Sequence, residues 1–225
     1  MKVLITAGGT SETIDGVRRI TNISTGATGG AIARVFAEHG VEVVLLHAAD
    51  APLSGIDVDR ETFVTFADLE EVMSRRLRED DFDAIIHLAA VSDYSVASVE
   101  IDGETGSPGL DGKIGSGHDV LIRLTPKPKL LDSLRSWSRN NAIQIVAFKL
   151  TNEPDLGERA KHIRKLLDRG TSDLAVHNDL SEITEDRHEA EIWTRRGPIV
   201  HTSTKTELAE SLLGLLEEKP AEDEG

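Results

Sequence analysis

Five short apolar runs constrain this chain more than any other feature: KVLITA (2–7), VEVVLLHA (41–48), FDAIIHLAAV (82–91), IQIVAFKL (143–150) and DLAVHN (173–178). They are rich in β-branched residues and nearly continuous, as strands covered on both faces are. Between them lie stripes at helical spacing: Ala31, Ile32, Val35 and Phe36, then Leu69, Val72, Met73 and Leu77, then Ala160, Ile163, Leu166 and Leu167. Strands alternating with amphipathic helices predict an α/β fold, a Rossmann-like, doubly wound and mainly parallel sheet with helices on both sides. EIWTRRGPIVHT (191–202) predicts a C-terminal hairpin turning at Arg196, Gly197 and Pro198. Leu208, Leu212, Leu215 and Leu216 predict a last helix. With 225 residues and 39% apolar content the chain fills one core. Residues 1–218 are expected to form one domain, and the acidic stretch 219–225 a disordered tail.

The charge excludes some partners. A formal net charge of -15 repels a phosphate backbone, so nucleic acid is not expected as a ligand. A small phosphorylated molecule needs only a local positive site. No cysteine is present, hence neither a disulfide framework nor a thiolate nucleophile. The eight histidines are scattered without metal-ligand spacing, so no protein metal site is expected. The opening MKVLITAGG lacks the features of a secretory signal, and no apolar run is long enough to span a bilayer. The expectation is a cytoplasmic protein with no membrane partner.

In an open parallel sheet, ligands bind beyond the carboxyl ends of the strands. Here those ends read AGGT (7–10), AAVSDY (89–94), FKLTNE (148–153) and VHNDL (176–180), a polar set suited to a nucleotide. Gly8, Gly9 and Thr10 belong to the first of them. A second feature is TGATGG (25–30), which resembles the turn of dinucleotide-binding oxidoreductases and epimerases. In those proteins the glycines follow the first strand directly. Here some twenty residues intervene, and the single tyrosine, Tyr94, forms no Tyr-x-x-x-Lys pair. The same stretch reads differently as an anion site. Ser24, Thr25, Gly26 and Thr28 feed a helix N-terminus, whose free N–H groups and positive dipole end attract phosphate. Asn22, just upstream, supplies a neutral amide donor. Finally, residues 95–119 hold six glycines and a proline around Lys113. Their composition predicts a long glycine-rich flap that orders when a ligand binds.

These residues carry a resemblance. TAGGT (6–10), DGVR (15–18) and ITNISTG (20–26) resemble the ordered opening signature of phosphopantothenate–cysteine ligases. AAVSDY, the lysine loop GKIGS (112–116), AFKLTNE (147–153) and VHND (176–179) resemble later motifs of that family. The likeness extends over residues 1 to 216. The chain departs from the pattern at Ala147, where glycine is usual, at His177, where alanine predominates, and in the loop KIGSG, which lacks a second lysine. No flavin-dependent decarboxylase domain precedes the motifs, so the resemblance implies the monofunctional bacterial form.

What the resemblance implies is a two-step ligation in coenzyme A biosynthesis. A nucleoside triphosphate, CTP rather than ATP, with Mg2+ activates 4′-phosphopantothenate as an acyl-nucleotide. L-Cysteine then displaces the nucleoside monophosphate. Lys113 suits the first step, which brings two anions together, and Asn22 suits the second, which develops an oxyanion. By the same resemblance Ala90, Asp93 and Phe148 lie near the nucleotide, and Arg18 serves the substrate or a subunit interface. Asn178 and Asp179 read either as nucleotide contacts or as caps of the segment LSEIT. The family's lysine loop is associated with a subunit interface, so a homodimer is implied. An NAD(P)-dependent oxidoreductase or epimerase and a non-catalytic nucleotide-binding module are the competing readings.

Overall fold

A computed structural model describes residues 1–107, 109, 112–184 and 187–218, so the expected acidic tail lies outside the described residues. The first half of the chain runs β1 (Lys2–Ala7), β2 (Ser11–Thr13), β3 (Arg19–Thr21), α1 (Ala27–Glu38), β4 (Glu42–Ala48), β5 (Asp59–Phe63), α2 (Phe66–Glu79) and β6 (Ala84–His87). The second runs β7 (Tyr94–Ile101), β8 (Glu104–Gly106), β9 (Val120–Pro126), α3 (Leu134–Trp137), β10 (Gln144–Thr151), α4 (Leu156–Asp168), β11 (Leu174–Asp179), β12 (Ala190–Thr194), β13 (Gly197–Thr202) and α5 (Lys205–Glu217).

The main sheet has the order β13-β12-β11-β10-β6-β1-β4-β5. Its six strands from β11 to β5 are parallel, and β12 and β13 add an antiparallel edge. All five predicted runs became parallel strands. β5 escaped the sequence reading because DRETF is an edge strand, exposed over most of its length, and carries no apolar run. The hairpin also formed, with a shifted turn. Arg195 and Arg196 make the bend, while Pro198 sits inside β13 opposite Trp193. A proline is tolerated there because β13 is an edge strand with no further ladder to donate to.

Both sheet faces are covered. Ile32 and Phe36 of α1 and Leu208 and Leu212 of α5 pack on Val3, Ile5, Val146 and Val176. Leu69, Met73 and Leu77 of α2 and Leu134 of α3 pack on Leu4, Leu46, Ile85 and Ile145 of the other face. Ile163 and Leu167 of α4 cover Ala175 and Trp193 on that same side. Each of these fully buried side chains contributes ~1.5–3 kcal/mol of transfer free energy. Three helices of 13 or 14 residues have side-chain caps. Thr65 and Asp68 form a reciprocal capping box on α2, Asp155 caps α4 and Thr204 caps α5. The 12-residue α1 has none: its N-cap is Gly26 at φ 72, and no acidic residue occupies its first turn.

Two insertions depart from the layered plan. The residues that intervene between β1 and the glycine turn contain the β2–β3 hairpin. Of residues 95–119, expected as a glycine-rich flap, 95–101 and 104–106 form strands of an antiparallel sheet of order β8-β7-β9, which β9 completes just beyond the segment. Val96 and Val99 form a small core there with Ile14 and Ile114. Their β-branched side chains supplied the strand signal, which the six glycines masked. The part of the expected flap at 108 and 110–111 lies outside the described residues.

The glycines of TGATGG have packing duties. A Cβ on Gly29 would lie 2.6 Å from the Cβ of Ala7, so this glycine lets α1 rest directly on β1. Gly29→Ala is therefore expected to destabilise the fold by about 1–3 kcal/mol through overpacking. Adding Ala7→Gly opens the space and restores much of the loss; urea melts of the three variants measure both effects.

Candidate functional site

The strand order reverses between β1 and β6. β1 continues outward to β4 and β5 on one side, and β6 to β10 and β11 on the other. The two exits are stitched together past the end of the sheet. The Ala90 N–H donates to the Gly8 carbonyl at 2.8 Å, and the Thr10 N–H to the Ala90 carbonyl at 3.1 Å. The buried Thr10 hydroxyl accepts from the Ser92 N–H at 2.8 Å and donates to the Ser92 hydroxyl at 3.0 Å. The neighbouring glycines are sterically required. Gly8 adopts φ 86, and a Cβ on Gly9 would lie 2.4 Å from the Asn22 carbonyl oxygen. Asn22 can reach the switch point because Gly9 has no side chain.

Asn22 donates one amide N–H to the Val91 carbonyl at 3.0 Å. Its Nδ2 carries a second. Four residues later begins the uncapped N-terminus of α1. Ser24 and Thr25 are exposed there, Gly26 is buried against Gly8, and Thr25 Oγ1 accepts the Ala27 N–H at 3.4 Å. Thr28 lies further in, its hydroxyl 3.3 Å from His188 Nε2. The result is a free helix dipole end on one side of the switch point.

On the opposite face the β6 and β10 ends and α4 enclose a cavity of about 360 Å³. Val91, Ser92, Asp93 and Phe148 line it, together with Lys129, Lys149, Lys165, Arg169 and His162. This cluster of cations contrasts with the chain's net charge of -15. Among the described residues Asp93 is the one carboxylate in the lining; it pairs with Lys129, while Arg169 pairs with Asp132. His87 lies in the same wall. The Thr6 hydroxyl accepts from the Leu88 and Ala89 N–H groups, so its proton goes to His87 Nδ1 at 2.9 Å. Burial lowers the His87 pKa to about 4, leaving a neutral ring with its proton on Nε2. Asp93 and Phe148, read from the resemblance as lying near a nucleotide, line this cavity, and the basic residues beside them were not anticipated. Lys165 and Arg169 belong to the polar face of an ordinary amphipathic helix, and nothing in sequence distinguishes them from solvated cations.

The remaining predicted residues divide. Lys113 is exposed on the loop leading to Ile114 and is not one of the residues that line the cavity. Arg18 directs its guanidinium to Asp15 and to the Ile114 carbonyl, the latter at 3.2 Å. Asp179 is completely buried. Burial raises its pKa, but hydrogen bonds from the Ser181 and Thr151 hydroxyls and the Glu153 and Ser181 N–H groups prevail and hold it well below the usual carboxylate range. Asn178 donates to the Glu189 carbonyl at 2.9 Å. Asp179 thus caps the turn 180–182, as the capping alternative has it, whereas Asn178 spends its amide on the Glu189 carbonyl and caps nothing in that segment. Of the three departures from the family pattern, Ala147 lines the cavity, buried His177 meets the Thr151 hydroxyl at 2.8 Å, and the loop KIGSG carries the exposed Lys113. Among the described residues no group of three or more His, Asp or Glu is arranged to hold a metal ion, and no helix is long and apolar enough to cross a membrane.

A family model described as the DNA/pantothenate metabolism flavoprotein C-terminal domain matches residues 1–219. The chain is 32% identical over 212 residues, 94% of its length, to the coenzyme A biosynthesis bifunctional protein CoaBC of Thermococcus kodakarensis. It is 30% identical over 217 residues to the protein of that name from Methanocaldococcus jannaschii. It spans about half the length of these curated relatives, 49% of each. A solved DNA/pantothenate metabolism flavoprotein from Streptococcus pneumoniae is 30% identical and superposes with a TM-score of 0.84, over 96% of this chain and 98% of that one. A Cab2 variant in complex with phosphopantothenate-cysteine shares the fold at 21% identity and a TM-score of 0.71, over 96% of this chain and 86% of that one. The glycine-lined switch point, the interrupted glycine turn and the ordered motifs thus have one common source: the chain belongs to the family of the DNA/pantothenate metabolism flavoprotein C-terminal domain.

Proposed function

We propose that this chain is a phosphopantothenate–cysteine ligase of coenzyme A biosynthesis, with CTP as the activating nucleotide. One observation carries the reading: Asn22 stands between two anion-attracting sites. On one side is the uncapped N-terminus of α1; on the other is the basic cavity, whose lining residue Val91 accepts the Asn22 amide proton. A substrate with a phosphate at one end and a carboxylate at the other matches that spacing of charges. Its phosphate takes the α1 terminus, with Ser24, Thr25 and Thr28, and the triphosphate takes the cavity with Lys129, Lys149, Lys165 and Arg169. Asp93 would be the carboxylate to hold a Mg2+ bound by the triphosphate, and that ion would offset the phosphate charge. An oxidoreductase is disfavoured because the β2–β3 hairpin separates β1 from the glycine turn.

The chemistry follows from the charges. A carboxylate oxygen attacks the α-phosphorus, the bond to the β,γ-pyrophosphate breaks, and pyrophosphate leaves with the electron pair. Cations around the two anions lower the cost of their approach, and Lys113 supplies one such charge from its loop. The cysteine amine then attacks the acyl carbon. The acyl–oxygen bond breaks, CMP leaves, and the amine loses its proton. A neutral amide donor from Asn22 stabilises the tetrahedral oxyanion without repelling the amine.

We further take the working unit to be a dimer of this chain. β9 is exposed along nearly its whole length, pairs with β7 on one side, and carries Leu121 and Leu124 at 59% and 44% exposure. An open edge with apolar side chains favours pairing with a second copy. Leu121→Asp with Leu124→Glu is expected to give a monomer by analytical ultracentrifugation where the unmodified chain gives a dimer. A monomer in both cases refutes the interface.

Two kinetic predictions test the ligase. Lys165→Gln removes a charge-assisted contact to the triphosphate and should raise the nucleotide KM roughly ten- to a hundred-fold, leaving the phosphopantothenate KM nearly unchanged. Steady-state rates with CTP and ATP at matched concentrations measure this effect and the choice of base; faster turnover with ATP reverses the assignment of CTP.

Lys113→Gln and Asn22→Asp separate the half-reactions. Lys113→Gln is expected to slow pyrophosphate release by ~10²–10³ and to yield no acyl-nucleotide. Asn22→Asp leaves activation largely intact and blocks aminolysis, so the acyl-cytidylate accumulates and is seen by mass spectrometry after rapid quenching. Loss of pyrophosphate release in both variants removes the selective role of Asn22.

A further inference from the structure

The sequence motif DGVR is absorbed by no step above. Its aspartate is nevertheless among the most engaged side chains of the molecule. Asp15 is 1% exposed. Its Oδ1 accepts the Val17 and Arg18 N–H groups at 2.9 and 2.7 Å, closing the tight turn between β2 and β3. Its Oδ2 faces elsewhere: it accepts the Ile114 N–H at 3.0 Å and pairs with the Arg18 guanidinium. Arg18 in turn donates to the Ile114 carbonyl at 3.2 Å. On the other flank of Lys113, the Gly16 N–H donates to the Gly112 carbonyl at 2.8 Å. A Cβ on Gly16 would come within 2.9 Å of that oxygen, so the approach requires glycine. The Ile114 side chain is buried with Ile14, Val96 and Val99. Both neighbours of Lys113 are thus fastened to the turn 14–18, while Lys113 itself stays exposed.

We propose that Asp15 is a positioning residue for Lys113, with one carboxylate oxygen building the β2–β3 turn and the other fastening the lysine loop to it. The turn belongs to the hairpin that ends in Asn22, so a single side chain sets the spacing between the two groups assigned to the successive half-reactions. Clamping both flanks of a long exposed side chain restricts where its charge can go, and misplacement by about 1 Å is enough to cost ~10² in rate. The anchor is ionised under any working condition. The Ile114 N–H above all, then the Val17 and Arg18 groups, outweigh burial and hold the Asp15 pKa at about 2. The inference rests on the ligase reading of Lys113.

Asp15→Asn is a selective probe. The asparagine retains Oδ1 for the turn and replaces Oδ2 with an amide whose protons oppose the Ile114 N–H and the Arg18 guanidinium. It should lower kcat for pyrophosphate release by ~10–10² while changing the nucleotide KM only a few-fold. In a Lys113→Gln background, Asp15→Asn should cost less than about a further two-fold, because a tether whose purpose is to place a missing charge has nothing left to lose. Hydrogen exchange at the Ile114 amide should accelerate, with the amides of β1 and β6 unchanged. Gly16→Ala, which pushes on Gly112 and leaves the carboxylate intact, should reproduce the kinetic pattern. Losses that multiply in the double variant, or an Ile114 amide that exchanges as before, overturn the proposal. A wild-type chain that releases no pyrophosphate overturns the ligase reading and the positioning role together. Its Ile114 exchange identifies that failure as one of function and not of the tether.

Discussion

The interlock between the exits of β1 and β6 is the contact on which the rest of the molecule depends. The Thr10 and Ala90 backbones bond to each other past the point where the strands diverge, and the Thr10 hydroxyl fixes Ser92. Divergence alone opens a crevice at a topological switch point. The interlock turns that crevice into a wall of defined shape, with Val91 turned toward Asn22 and Asp93 toward the basic cavity. Gly8 and Gly9 make it possible, because any side chain at either position would collide with Ala48 or with the Asn22 carbonyl.

Charge is distributed around this wall with economy. The chain is strongly acidic, yet four lysine or arginine side chains converge on one cavity, with a single carboxylate among them. The helix that points at the other side of the wall is, among the described residues, the one long helix without a side-chain cap. A cap such as the threonine or aspartate used elsewhere would occupy the N–H groups and cancel part of the dipole. With glycine at its N-cap, leaving α1 open costs only about a few tenths of a kcal/mol and keeps a site that an anion can fill. At the far edge, Asp179 shows the opposite treatment: a buried carboxylate with every approach satisfied by hydroxyls and N–H groups, and Arg159 beside it. It acts as an internal brace for β10 and β11.

Several features were legible in the linear chain. The five apolar runs predicted the parallel strands, because residues buried on both faces must be apolar at every position. The glycine, asparagine and aspartate residues at the strand ends pointed to those ends as a candidate site, and their ordered spacing marked the family. Other features were hidden for identifiable reasons. β5 and the β7–β9 arm bury at most one face, so their strands mix polar and apolar residues and, in the arm, lie among glycines. Pro198 looked like a turn residue, although an edge strand accommodates it equally well.

Local sequence therefore determined which segments are strands and helices and which strand ends carry polar groups, since both follow from period and residue type over a few neighbours. Tertiary structure decided which distant groups meet. Lys129, Lys149, Lys165 and Arg169 converge on one cavity only after β6, β10 and α4 are packed side by side. Asp15 reaches the Ile114 N–H across 99 residues because Ile14 and Ile114 share a small core with the arm. A charged residue in sequence has no direction; burial, and the hydrogen bonds that burial demands, give it one.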